Sequence, residues 1–157
     1  MGRTFRTTLF ALVVAAAVSG CGEPGPDAEA LEAAEARATE VTTFCDAARA
    51  NIAAAQPLID LSKAGGAPLP AEKIEAVVGP LRESNKTMFD AAPPELRADA
   101  ESAAQLAEMQ LAVFESTGGD VMASATDPAY VAKATELQPV VARFQGFIRT
   151  TCGVDVD

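Results

Sequence analysis

VTTFCDAARANIAAAQPLID, residues 41–60, decides the fold class. Its apolar residues recur in steps of four and three: Val41, Cys45, Ala48, Ile52, Ala55, Ile59. That period places them along one face of an α-helix. Phe44 and Leu58 widen the face. Upstream the helix is predicted to start at Asp27, a good N-cap residue. Downstream it stops before Gly65-Gly66.

Three more segments carry the same signature. A second helix is predicted from about Pro70 to Ala91, since proline suits a first helical turn. Its face holds Ile74, Val77, Val78, Leu81, Met88 and Phe89. A third opens at Pro94 and reaches about Thr117, with Leu96, Ala103, Leu106, Ala107, Leu111 and Phe114 inward; Gly118-Gly119 stops it. Residues 120–126 are poorly patterned. The fourth is capped by Asp127, has Pro128 at its first position and runs to about Thr151, on a seam of Tyr130, Ala134, Leu137, Val141, Phe144 and Ile148. Alanine is the commonest residue and β-branched alternation is nearly absent. Short connections favour antiparallel neighbours. The expected fold is all-α: an antiparallel up-down-up-down four-helix bundle with proline-kinked helices, over residues 41–157.

The N-terminal segment has a different character. Arg3 and Arg6 precede an uninterrupted apolar run, Leu9 through Val18. The run is about half of the roughly 20 residues a spanning helix needs. Positive residues followed by a short apolar stretch are the pattern of a secretory signal. The run ends in Val18-Ser19-Gly20-Cys21. An aliphatic residue, two small residues and a cysteine resemble the lipobox of a bacterial lipoprotein precursor. The resemblance implies a diacylglyceryl group on the Cys21 thiol, cleavage after Gly20 and a mature chain beginning at Cys21. Residues 1–20 are then the signal peptide and residues 21–40 the lipidated cysteine, a linker (Gly22–Pro26) and a stalk. Residues 28–40 have Leu31 as their one large apolar side chain and carry Glu29, Glu32, Glu35 and Glu40. They are expected to form a polar helical or frayed stalk.

The mature chain also resembles small Ala-rich lipoproteins of actinobacteria. Phe44-Cys45-Asp46, Ala92-Pro93-Pro94-Glu95-Leu96 and Cys152-Gly153 carry that likeness beyond the lipobox. It implies a location on the outer face of the cell membrane, held there by lipid, and leaves the activity open.

With Cys21 taken by lipid, Cys45 and Cys152 remain, and an exported compartment permits a disulfide between them. The bridge would set the base of the bundle, with the Pro93-Pro94 turn and the C-terminus on the membrane side. The Gly65-Gly66 and Gly118-Gly119 turns would point away. Loss of Arg3 and Arg6 with the signal takes the formal charge from −10 to −12. So acidic a chain is a poor partner for nucleic acid or anionic headgroups, both of which require neutralising cations. A monomer is expected.

Chemistry finds little support. The sequence has no histidine, which excludes His-based triads and histidine metal ligands. No glycine-rich phosphate loop is present. Ser62-Lys63 are neighbours on a helix and do not face each other. Asp120, Asp127, Asp155 and Asp157 lack the alternating ligands and central glycine of a calcium loop. No catalytic residue, cofactor site or metal site is assigned. Asn85-Lys86-Thr87 matches a glycosylation sequon but falls inside a helix.

What remains is a set of residues that could mark a cleft. Pro57, Pro80 and Pro139 interrupt three helices, and each removes one helical hydrogen bond. Counted from the predicted bridge, Pro57 and Pro139 both lie about 18–20 Å away, and Pro80 falls near that level. They could open a bulge in the far half, or bend the helices around the core. Asn85 and Gln110 sit on inward faces and could be a binding pair, or polar residues that fix register. The sequence thus suggests a non-enzymatic envelope module that engages a protein or a small apolar ligand. A spacer lipoprotein is the alternative, and a hydrolase built on carboxylates alone the least supported reading.

Overall fold

The computed structural model describes residues 26–64 and 68–154. The signal segment, Cys21, Gly65-Gly66, Asp155 and Asp157 lie outside them. Four helices account for most of what is described: α1 (Pro26–Ala64), α2 (Ala71–Asp90), α3 (Arg97–Ser116) and α4 (Pro128–Cys152). Consecutive helices pack on each other, and α1 also meets α4. The architecture is all-α, in the manner of an up-down bundle.

The element boundaries follow local chemistry. Pro70, in an extended conformation, precedes α2, and its carbonyl accepts from the amides of Lys73 and Ile74. The third helix begins later than its first proline. Pro94–Leu96 form a 3₁₀ turn, closed by the Leu96 amide on the Pro93 carbonyl at 2.8 Å, and α3 starts at Arg97. Pro93 and Pro94 bring no N–H to a helical ladder, so the tighter turn bridges into it. At the other end of α3, Gly118 and Gly119 take positive φ of 71° and 87°. The Gly119 amide reaches the Phe114 carbonyl at 2.8 Å, and the Leu69 amide closes on Gly118 O at 2.8 Å. A Cβ on Gly119 would stand 2.8 Å from Leu69 Cδ1. The unpatterned stretch after it holds a second 3₁₀ turn, Ala123–Ala125. Asp127 caps α4 through Oδ1, which accepts from the Tyr130 amide at 2.7 Å, and left-handed Gly153 (φ 63°) ends it.

Cys45 and Cys152 form a disulfide, with Cα atoms 5.1 Å apart. It joins the middle of α1 to the end of α4. Beside it, Arg49 donates to the Cys152 carbonyl at 3.0 Å and to Asp46 at 2.8 Å, so a cation sits at the carbonyl-rich end of α4. The core at this end draws on every helix. Phe44, Ala48, Met88, Ala92, Leu96, Ala100, Phe144 and Ile148 are buried together around the bridge. Phe44 is fully buried and meets Phe144 and Phe147 edge-on at 5.8 and 5.9 Å.

The far end has a second core, made of Ile74, Val78, Leu81, Leu111 and Phe114. Ala54, Ala55, Leu58, Leu61, Leu69 and Val121 pack on it. Its side chains come from α1, α2, α3 and the connections. None comes from α4.

The stalk is helical and continuous with the bundle. Residues 27–36 are exposed, and no break separates them from the seam that begins at Val41. Contact with the bundle starts before residue 41: Arg37 pairs with Glu95 of the 3₁₀ turn.

Candidate functional site

Where the far-end core loses α4, a cleft of about 370 Å³ opens among the four helices. Its floor is the upper surface of the disulfide-end core: Ala48, Met88, Phe89, Phe144 and Ile148. From there it climbs α1 past Ile52 and Ala55 to Ile59. Across from them stand Leu106, Ala107 and Gln110 of α3 and Tyr130 and Val141 of α4. Small side chains make the room, since Ala55, Ala103 and Ala107 occupy seam positions where a leucine would fill the gap. Ile59, Gln110 and Gln145 are exposed, so the cleft is open to solvent along one side. A smaller hollow of about 180 Å³ shares Ile59 and Gln110 with it and continues to Val121 and Ser124, past Asp120.

The polar groups in the main cleft are all uncharged. Asn51 Nδ2 donates to Asn85 Oδ1 at 2.7 Å, across from α1 to α2. That bond uses one hydrogen of Asn51 and one oxygen of Asn85. The Asn51 carbonyl oxygen and the Asn85 amide nitrogen make no other side-chain hydrogen bond among the described residues. The Tyr130 phenol is half-buried, and burial pushes its pKa above the ordinary value. It therefore stays a neutral hydroxyl at neutral pH. Among the described residues no charged or polar residue is fully buried, and no cluster of acids or cysteines could hold a metal ion.

Charge is kept to the outside. Arg82 of α2 grips Glu108 and Glu115 of α3 at 2.9–3.0 Å, and its pKa is raised first by the bond to Glu108 and then by that to Glu115. Arg143 of α4 makes a two-pronged pair with Asp99 of α3 at 2.7 and 2.9 Å. That bond holds the Asp99 carboxyl below the usual carboxylate range. These pairs tie α2 to α3 and α3 to α4. Beside the bridge, Arg49 ties α1 to α4, also at the disulfide end.

The residues singled out in the sequence fall into two groups. Asn85 and Gln110 both line the cleft, but Asn85 bonds to Asn51 rather than to Gln110. Pro57, Pro80 and Pro139 are exposed and line no part of it. Pro57 borders a shallow surface groove between α1 and α2. The reason is angular. Pro57 stands two residues from Ala55 and from Ile59, and Pro139 two from Leu137 and Val141. Two residues along a helix turn the side chain about 200°, to the opposite face. Each helix continues through its proline. Asn51 and Gln145 were not singled out in the sequence. Asn51 follows Ala48 by three residues and could have been found on the flank of the seam. Gln145 is adjacent to Phe144 and carries no such signal.

No family model matches the chain, no curated protein matches its sequence, and no solved structure matches its fold.

Proposed function

We propose that this chain is a lipid-anchored protein of the bacterial cell envelope whose helical bundle is a non-enzymatic binding module. The observation that carries the binding reading is the open, uncharged cleft with partner-free amide groups. A domain whose task was only to space two layers would have no need of an unfilled core with hydrogen-bonding capacity facing it. The anchoring reading rests on Arg3, Arg6, the apolar run and Val18-Ser19-Gly20-Cys21. The Cys45–Cys152 disulfide supports an oxidising compartment. No helix among the described residues is long and apolar enough to cross a membrane. On this reading the disulfide end faces the membrane and the far-end core points away from it.

The test is a crosslinking pull-down from intact cells, with a Cys21→Ala chain as control and metabolic palmitate labelling alongside. The expected result is label on the native chain and none on the control, together with a ligand or partner enriched by the native chain. A native chain that takes no label would sink the anchor. Recovery equal to the control would favour the spacer reading, which the exposed N-terminal turns of α1 suit.

A further inference from the structure

We infer that the cleft is a site for an uncharged amphiphile: one hydrocarbon chain carrying a hydroxyl or amide group. The inference rests on the binding-module reading and names the ligand class.

Three observations carry it. The first is the absence of charge. No residue lining the main cleft is charged, although acids and bases crowd the outer faces of the same helices. A carboxylate or ammonium drawn into this space would lose water without gaining a counter-charge, at a cost of several kcal/mol. The second is the unused hydrogen-bonding capacity. The Asn51–Asn85 bond leaves the Asn51 carbonyl oxygen and the Asn85 amide N–H groups without a side-chain partner among the described residues. A hydroxyl or an amide can meet either, because each donates and accepts. A bare hydrocarbon would leave both unmade.

The third is shape. The floor is wholly apolar, the amides lie above it, and the apolar lining continues to Ile59. The bundle's exposed large apolar side chains belong to or adjoin lining residues, alongside the charged Asp120 of the smaller hollow. Ile59, Met122 and Val131 are 39%, 65% and 42% exposed. Ile59 lines both hollows, Met122 follows Val121 of the smaller hollow, and Val131 follows Tyr130 of the larger. These three are all of the bundle's exposed large hydrophobics among the described residues; the fourth, Leu31, is on the stalk. A chain seated in the cleft would leave it past the exposed Ile59. The volume of 370 Å³ holds about a dozen water-sized groups at roughly 30 Å³ each, enough for a medium-length chain.

Photo-crosslinking in intact cells tests this with the full chain. Three clickable diazirine probes of equal chain length are compared: a monoacylglycerol, a fatty acid and an alkylamine. Each is supplied either from the medium or preloaded in neutral vesicles, which separates a soluble source from a membrane source. The expected result is monoacylglycerol labelling of the peptides bearing Asn51, Asn85 and Tyr130, at least tenfold above both charged probes, by either route. Ala107→Phe and Ala55→Phe, which fill the cleft from opposite walls, should each cut that labelling tenfold or more. Asn85→Leu, which keeps the bulk and removes the amide, should cut it about tenfold. Thermal melting by circular dichroism confirms that each variant is folded, and a variant that does not fold leaves the other two to decide. Equal labelling by a charged probe, or neutral labelling unchanged by the folded variants, would overturn the ligand class. Capture of a protein at the cleft peptides in place of the monoacylglycerol would overturn it too, while the binding-module reading would stand. Labelling of no cleft peptide by any probe, with a pull-down equal to the Cys21→Ala control, would overturn both.

Discussion

The two ends of the bundle are made from the same helices and closed in different ways. At the disulfide end all four helices meet. Phe44 is sealed among Phe144, Phe147 and the Cys45–Cys152 bridge, and Arg49 clamps the last carbonyl of α4. At the far end α1, α2 and α3 form a core of their own. There α4 is held to α3 and stands off from α1 across the cleft. Packing is thus unequal along one axis: all four helices fill the core at the disulfide end, and a cleft interrupts it beyond.

Substitutions can break or sharpen that contrast. The largest effect is expected from Phe44→Ala, which empties a fully buried aromatic site and should cost ~3–5 kcal/mol in denaturant unfolding. By contrast Leu106→Ala, on a wall that already lacks neighbours on one side, should cost ~2 kcal/mol or less. Equal losses at the two positions would mean that the ends are packed alike. Next comes the bridge. The double change Cys45→Ala, Cys152→Ala should lower stability by ~2–4 kcal/mol. Hydrogen exchange would then speed up most near residues 44–48 and 144–152. The start of α4, far from the bridge, should change least. A uniform acceleration would show that the bridge, rather than local packing, sets the difference.

A third change works in the opposite direction. Ala107→Leu puts apolar atoms into unfilled space and should raise stability by ~0.5–2 kcal/mol. A loss of ~1–3 kcal/mol, the usual result of overpacking, would mean that the cleft walls are too rigid to admit a side chain. The smallest effect belongs to the surface. The pKa of Asp99 is depressed in the folded chain by Arg143. The pair therefore stabilises the fold above the unfolded carboxylate pKa near ~3.9 and loses that contribution as pH falls through the lower folded value. Asp99→Asn should lower Tm at pH 7 by no more than about 2 °C. The gap between variant and native chain should close at low pH, and a gap that persisted there would assign the effect to packing.

Much of this was legible in the sequence because one repeating interaction wrote it. The seam from Val41 to Ile59, the stop at Gly118-Gly119 and the Asp127-Pro128 start each reflect a local rule: side-chain period, positive φ, capping. The disulfide needed only two spare cysteines. The cleft was harder to read. Its position depends on where α4 parts from α1, and that is decided by the sum of many small side chains rather than by any one residue. Prolines drew attention because they break hydrogen bonds, yet their two-residue offset from the seam already turned them outward. The Asn51–Asn85 bond joins residues 34 apart, and single-residue patterns do not report which partner a half-buried amide will take.

The bridge has a topological consequence. It joins positions 107 apart in sequence, so most of the bundle lies on one covalent ring. A protease cutting once at the exposed 3₁₀ turn near Met122 would linearise that ring without freeing a fragment. The nicked protein would keep its mass until a reductant was added, and only then fall into two pieces. This closure gives the domain a tolerance to single cuts that its helices alone would not give it.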